Sequence, residues 1–431
     1  ILIRAYRGCA SRFHAPFSTS LYSGKTRLDC AACVSVKDYC DLATNLKHNE
    51  TGLISALEDK FAGCLLGGAI GDGLGTSTEG RSPQQIRERF GGRVEDFKPP
   101  FAPKADGRYK GDGNVSDDTL MALALCRAYG AKGGQLDAHD MATYFLPEIV
   151  DKPMWIPEHQ REMPLVERLF YPEKYLFIRL RLASANPREA GIGNMVNCGA
   201  AMYAAPVGLM NAGDPDAAYA RAINVFSAHQ YSYGLEAAAI MAACVAEALR
   251  PAATVDSVIE TALRLAKDGT KFALEAVIAA AKSAPSNEEQ LQAHLRDAME
   301  PFDTVKGGVQ EFTRSGAYPS QQHSIEELPI ALAYLIVFSG DFTQAVLGAV
   351  NYGRDSDSIA GMVGAIIGAM VGKRGLPEYW ATEVPRRNKI DFDAATRDLY
   401  ELFRRDYDAA YQQAQRRHHE LTALIEGEQH D

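Results

Sequence analysis

From about residue 55 onward, apolar residues recur every three or four positions rather than every second, which is the period of helices packed on a core. The spacing predicts helices over Leu57–Ala69, Thr119–Tyr129, Gly199–Met210, Tyr233–Leu249, Val255–Lys267, Phe272–Lys282, Ile325–Phe338 and Thr343–Val350. Runs such as AAAIMAACVAEAL (Ala237–Leu249) are rich in alanine, the best helix former, and lack the alternation of strands. No series of strands and no strand–glycine loop–helix unit emerges, so the expected fold is all-α, a compact body of many helices. The segment Asp151–Pro187 breaks the pattern with Pro, Trp, Tyr and Arg. It reads as a long connection with short helices, the kind of insertion that often serves as a lid or binding element. Beyond Gly375, Leu376-Pro377 and Val384-Pro385 mark breaks, and a long polar helix is expected from about Asp393 to Leu424.

These patterns divide the chain into an N-terminal extension (1–52), a main domain (53–390) and a C-terminal helix (391–431) that packs on the domain or extends from it. The extension carries Arg4, Arg7, Arg12, Lys25 and Arg27 with no acid before Asp29, and is rich in serine. That composition suits an organellar transit segment over residues 1–28, an interaction arm, or an artefact of the assigned start. Without a genuine transit segment the expected location is cytoplasmic. Cys30, Cys33 and Cys40 offer three thiols for zinc but no evident fourth ligand. Cys64, Cys126, Cys198 and Cys244 lie in apolar runs, where free cysteine behaves as a small hydrophobe.

Composition narrows the function. Of 431 residues 46% are hydrophobic, enough for a sizeable core, and the formal charge of −10 argues against a general nucleic-acid surface. The longest apolar run, Ile359–Gly372, falls short of the roughly 20 residues that a spanning helix needs. Its Gly and Ala content points to a buried helix with close neighbours. No nucleic-acid or membrane partner is expected, and the chain is expected to be a monomer.

The candidate chemistry sits at two helix starts. In GDGNVSDDTLMALALC, Ser116, Asp117, Asp118 and Thr119 immediately precede an apolar run. In NYGRDSDSIAGMVG, Asp355, Asp357 and Ser358 do the same. Each cluster alone reads equally well as a capped helix, where an acid gains about 0.3–1 kcal/mol from the helix N-terminus. If the two starts meet, the balance changes. Two like charges ~4 Å apart repel by about 4 kcal/mol at an effective dielectric near 20. Helix ends do not offset several such pairs, whereas a divalent cation does. Oxygen ligands, with no Cys or His nearby, favour Mg²⁺, Mn²⁺ or Ca²⁺ over zinc.

GCLLGGAIGDGLGTSTEG (Gly63–Gly80), SDDT (Ser116–Thr119), NCGAAMYAAPVG (Asn197–Gly208), HQYSYGLEAA (His229–Ala238) and GRDSDSIAG (Gly353–Gly361) occur in the order found in the ADP-ribosylglycohydrolase family. This family includes the dinitrogenase-reductase-activating glycohydrolase and the ADP-ribosyl-acceptor hydrolases. The resemblance covers roughly residues 55–390. It implies an all-α fold with a two-metal cleft, two Mg²⁺ or Mn²⁺ ions, and ligands at Ser116, Asp117, Asp118, Asp355, Asp357 and Ser358. Glu79 matches an acid implicated in substrate positioning or proton transfer, so Glu79, Asp117 and Asp357 are the expected catalytic residues. Asn197, Gly199 and His229 match positions that face the substrate. Asp72 reads either as a site residue or, preferably, as a brace for the local turn, and the glycines around it suit a tight loop near a ligand. Cys198 stands where glycine is common. Arg354 also replaces a frequent glycine and reads as a phosphate contact or a surface residue. Tyr231 and Tyr233 read as stacking groups or core packing.

The implied reaction is cleavage of a ribosyl glycosidic bond through an oxocarbenium-like state. Two metals would hold the ribose hydroxyls and lower the pKa of bound water. The expected partner is an ADP-ribosylated protein, arginine-linked first, or a small ADP-ribose derivative. The competing expectation is an immunity-type binding protein of the same fold, which uses its N-terminal arm to block an ADP-ribosyltransferase.

Overall fold

Two helices that touch through their backbones form the spine of the computed structural model, which describes residues 54–101, 107–302 and 322–426. The N-terminal extension, with its transit, arm and zinc readings, lies outside the described residues. Helix α1 (Ala56–Gly75) is capped by Ser55, whose side chain accepts from the Glu58 amide. It runs on through the glycine-rich motif instead of ending at Ala69. The glycines expected to form a loop are therefore helical, and their spacing explains why. Gly63, Gly67, Gly71 and Gly75 fall four apart and line one face.

Numbering helices of eight residues or more in chain order, α2 is Pro83–Phe90, α3 Asp117–Lys132, α4 Pro215–Phe226, α5 Ser232–Ala248, α6 Val255–Leu265 and α7 Asp268–Lys282. They are followed by α8 (Glu288–Met299), α9 (Gln322–Val337), α10 (Phe342–Tyr352), α11 (Ser356–Val371), α12 (Glu378–Asn388) and α13 (Phe392–Glu426). The glycine face of α1 lies against α11. A Cβ added at Gly71 would stand 2.0 Å from the Ala360 carbonyl oxygen, and one at Gly67 2.4 Å from that of Gly364. Only residues without a side chain allow this approach. The N-terminus of α11 consequently meets the C-terminal end of α1, where Gly75 abuts Ser356 and Asp357.

Three departures from the expected elements have local causes. The stretch expected as one helix over Gly199–Met210 is a 3₁₀ turn, Cys198–Ala200, followed by a short helix, Ala205–Leu209. Pro206 has no N–H to carry a helix on from upstream, so it sits in the first turn of the second piece. Pro385, read as a break, lies inside α12, and the chain turns instead at Lys389 with a left-handed φ of 54°. Buried Trp380 and Val384 hold α12 to the body. The Asp151–Pro187 segment contains short helices as expected and also a hairpin. Strands β1 (Pro153–Ile156) and β2 (Arg161–Pro164) pair antiparallel with Trp155 opposite Glu162.

Apolar side chains of the helices join in one core, and no helix among the described residues is long and apolar enough to cross a membrane. The first part of α13 packs on α1 through Tyr400 and Phe403, whose rings lie 5.4 Å from that of Phe61. From Tyr407 to Leu421 the same helix is exposed.

Candidate functional site

The two acidic helix starts come together, and α1 is what brings them there. Asp72, buried near the end of α1, accepts the Ser116 amide on both oxygens at 3.0 Å. It also accepts the amide and hydroxyl of Thr119. This carboxylate therefore caps α3 from a neighbouring helix and fixes the first cluster. Burial and the charge of Asp357 push its pKa up to about 7, against the lowering effect of those bonds. The second cluster is tied down in the same way. Ser356 donates to the Gly75 carbonyl at 3.0 Å and shares a 2.9 Å bond with Thr78.

Across the gap, Ser358 Oγ donates to Asp118 Oδ2 at 2.9 Å, while Ser116 Oγ lies 3.0 Å from Asp118 Oδ1. Asp118 thus joins both clusters. Oxygens of Glu79, Asp355 and Asp357 converge within 4.8 Å of one another. Glu79 and Asp355 are partly exposed, which opens the centre to solvent on one side. Cys198 also belongs here, since its Sγ lies 3.0 Å from Asp355 Oδ2 and the thiol's pKa is raised by burial and by that carboxylate. It lies against a polar centre rather than in the apolar setting expected of it.

Four charged residues in the centre escaped the sequence reading. Lys110, almost fully buried, hydrogen-bonds Glu79 and reaches Asp357 Oδ2 at 3.2 Å. Arg168 pairs with Asp117 and with Glu158, each at 2.5 Å. Glu158 sits in the turn between β1 and β2, and Glu173 in the helix Tyr171–Phe177 that follows. All but Lys110 belong to the Asp151–Pro187 insertion, whose concentration of charge among aromatic residues was the available signal. Lys110 stands between glycines in GRYKGDGN, where nothing in spacing marks it.

The residues expected to face a substrate are placed unevenly. His229 is fully buried, with Nδ1 2.9 Å from the Tyr203 hydroxyl and Nε2 3.2 Å from the Pro172 carbonyl. Burial lowers its pKa to about 3. Both nitrogens are engaged, so His229 braces the wall rather than presenting a nitrogen to a ligand. Gly199 is also buried, and a Cβ there would strike Glu173 Oε1. It makes room for that carboxylate instead of lining an open surface. Asn197 is half-buried and donates to Glu173, while its carbonyl oxygen accepts from Gly199 and Gln230. Arg354, 31% exposed, pairs with Glu326 at 2.5 Å. Its φ of 56° is the left-handed conformation that glycine adopts without strain. Tyr233 packs against Gly269.

The donor set suits a divalent cation. The carboxylates Glu79, Asp117, Asp118, Glu158, Glu173, Asp355 and Asp357 outnumber the two cationic side chains, Lys110 and Arg168, which leaves a surplus of negative charge. Asp357 Oδ1 is buried without a hydrogen-bond partner. Burial first, and then Asp357 and the other acids, hold the pKa of Asp118 far above the ordinary range. Glu173 is pushed up to about 7 by burial and by Asp117. The metal-free folded chain therefore keeps protons that the unfolded chain has released above about pH 4. Between pH 4 and 7 the unfolded state binds fewer protons, so stability falls as pH rises, by about 1.4 kcal/mol per unit for each such group. Denaturant unfolding at pH 5, 6 and 7 should show this slope, and saturating Mg²⁺ should flatten it.

Comparison with known proteins bears on the family and the fold. The family model for ADP-ribosylglycohydrolase matches residues 54–409. An uncharacterized protein of Archaeoglobus fulgidus is 28% identical over 368 residues, covering 81% of this chain and 98% of its own. The bovine ADP-ribosylhydrolase ARH3 is 25% identical, covering 74% of this chain and 87% of its own. The ADP-ribosylarginine hydrolase Tri1 of Pseudomonas putida is also 25% identical, covering 76% and 74%. A solved structure described as an ADP-ribosylglycohydrolase-related protein complex superposes with a TM-score of 0.54 at 21% identity, covering 80% of this chain and 99% of that one, a likeness of fold alone. With a shared fold and a family match that spans most of its length, the chain belongs to the ADP-ribosylglycohydrolase family.

Proposed function

We propose that the protein is a divalent-metal-dependent hydrolase that releases ADP-ribose from ADP-ribosylated protein, with arginine-linked ADP-ribose as the first choice of substrate. The observation that carries this reading is the bond from Ser358 to Asp118, which makes one centre of two clusters distant in sequence. Ser116, Asp117, Asp118, Asp355, Asp357 and Ser358 would hold Mg²⁺ or Mn²⁺. The bound metal supplies the positive charge that fixes the ribose hydroxyls and acidifies a water. The expectation of two ions meets Lys110, whose ammonium already stands between Glu79 and Asp357.

The chain's own groups do the rest. Glu79, oriented by its bond from Lys110 and partly open to solvent, positions the ribose or takes a proton from the attacking water. Asp118, anchored by two serine hydroxyls, keeps the centre rigid, so that little reorganisation is needed as charge develops on the sugar. Asn197 and the Glu173 carboxylate behind it form the inner wall. The similarity to the ADP-ribosylarginine hydrolase Tri1 supports the arginine linkage. The same chemistry on serine-linked or O-acetylated ADP-ribose ranks next. We place the protein as a cytoplasmic monomer. The binding-protein reading rests on residues 1–52, outside the described residues, and no observed contact favours it.

A panel of arginine-linked, serine-linked and O-acetylated ADP-ribose substrates, assayed with Mg²⁺ and with EDTA, tests the proposal. Release from the arginine-linked peptide is expected in Mg²⁺ and not in EDTA. No release from any substrate, or release that EDTA leaves unchanged, overturns it.

A further inference from the structure

We infer that Lys110 is a built-in cation of the acidic centre, which takes the place of one of the two divalent ions implied by the family resemblance, so that the folded chain binds a single divalent ion. The inference rests on the metal-binding reading of the same centre. Glu79, Asp355 and Asp357 bring their oxygens within 4.8 Å of one another, close enough to share one ion. Lys110 Nζ already bonds two of the three and lies 4.0 Å from a further acid, Glu158.

This placement is built by the backbone. The Lys110 side chain is only 3% exposed. The Tyr109 amide donates to the Glu158 carbonyl at 2.8 Å, which pins the segment to the hairpin turn. On the other side, the Asp112 amide donates to the Lys98 carbonyl at 2.7 Å. Gly111 crosses the Lys98–Pro100 backbone so closely that a Cβ would lie 2.6 Å from the Pro100 nitrogen, and its φ is 148°. Packed chain on both sides therefore holds the lysine side chain in the interior. A divalent ion between Glu79 and Asp357 would have to share that space with an ammonium of like sign.

Asp357 divides its oxygens accordingly. Oδ2 accepts from Lys110, while Oδ1 is buried and has no hydrogen-bond partner. The unpartnered oxygen, with the Asp355 carboxylate beside it, leaves a ligand set for one ion. Lysine at this place gives a permanent charge that no chelator removes.

The test is to count Mn²⁺ on the purified full chain by electron paramagnetic resonance of the free ion, with thermal melts run alongside. The unaltered chain is expected to bind one Mn²⁺. Lys110→Met is expected to melt at lower temperature without metal, to bind two Mn²⁺, and to gain more in melting temperature from Mn²⁺ than the unaltered chain does. Lys110→Gln is read in the same way should the methionine variant fail to fold. No ion or two ions on the unaltered chain overturns the inference, as does one ion on either variant once folded. Because the count needs no substrate, its outcome is separate from that of the hydrolysis panel.

Discussion

Alanine in place of Gly364 destabilises the protein by about 3 kcal/mol, and leucine there leaves no cooperative unfolding transition. In an ordinary helix interior the change from glycine to alanine stabilises by about 0.8–1 kcal/mol, so the sign itself is diagnostic. At Gly364 the added Cβ would lie 2.1 Å from the Gly67 carbonyl oxygen and 2.7 Å from its carbon. Both obstacles are backbone, and backbone has no alternative rotamer. The helices would have to part, and every other close approach would open with them, including that of Gly63 on Gly368 and of Gly71 on Ala360. Inserting a methyl group into a packed seam typically costs about 1–3 kcal/mol, and the shared seam places this one at the upper end. Gly130, in α3, provides the comparison, because a Cβ there meets nothing within 4 Å. Gly130→Ala should stabilise. Denaturant unfolding of the two alanine variants decides the matter, and equal shifts would contradict the seam.

Asparagine at Asp357 lowers hydrolysis by at least ~100-fold and leaves the metal-free melting temperature unchanged or higher. The two halves of this expectation come from the same environment. Burial and the charge of Glu79 raise the Asp357 pKa, with Lys110 opposing them, so the ionised carboxylate is an energetic load on the metal-free fold. The isosteric amide keeps an oxygen for Lys110 and removes that charge. For catalysis the charge is what matters, since loss of one preorganised electrostatic contact to a developing charge costs about 10²–10³ in rate. The variant should also lose the rise in melting temperature expected of the unaltered chain in Mg²⁺. Activity within threefold of the unaltered chain would remove Asp357 from the centre's chemistry.

How much of this was legible before the structure differs by the kind of signal. The helical body, the acidic starts at Ser116 and Asp355, and the close helix neighbours implied by glycine and alanine are local patterns, and periodicity carries them. The centre's cations are not local. Arg168 and Glu158 are ordinary surface types on an aperiodic insertion, and only the hairpin and the short helix Leu165–Arg168 after it turn them inward. Lys110 is buried because a glycine crossing and two backbone bonds hold it, features without a sequence period. His229 illustrates the reverse case. Its motif marks it as belonging to the site region, but burial and two satisfied nitrogens make it part of the wall. The glycines around Asp72 suit a tight loop when only the local sequence is considered. Their partner stripe on α11, far along the chain, reverses that preference.

The seam between α1 and α11 also constrains how the protein is made. Asp118 and Ser358 are 240 positions apart, and the two stripes of small residues that hold them together lie farther apart still. During synthesis, α1 and α3 leave the ribosome with the glycine face of α1 unmatched and their carboxylates already present. Until α11 has emerged, that face has no complement, and closing so long a loop makes the final docking slow. The nascent chain therefore passes through a stage in which an exposed small-residue groove and an unfinished anionic cluster coexist. Assembly of the centre waits on the docking of α11, and a chain truncated before Ser356 has neither the seam nor the second half of the site.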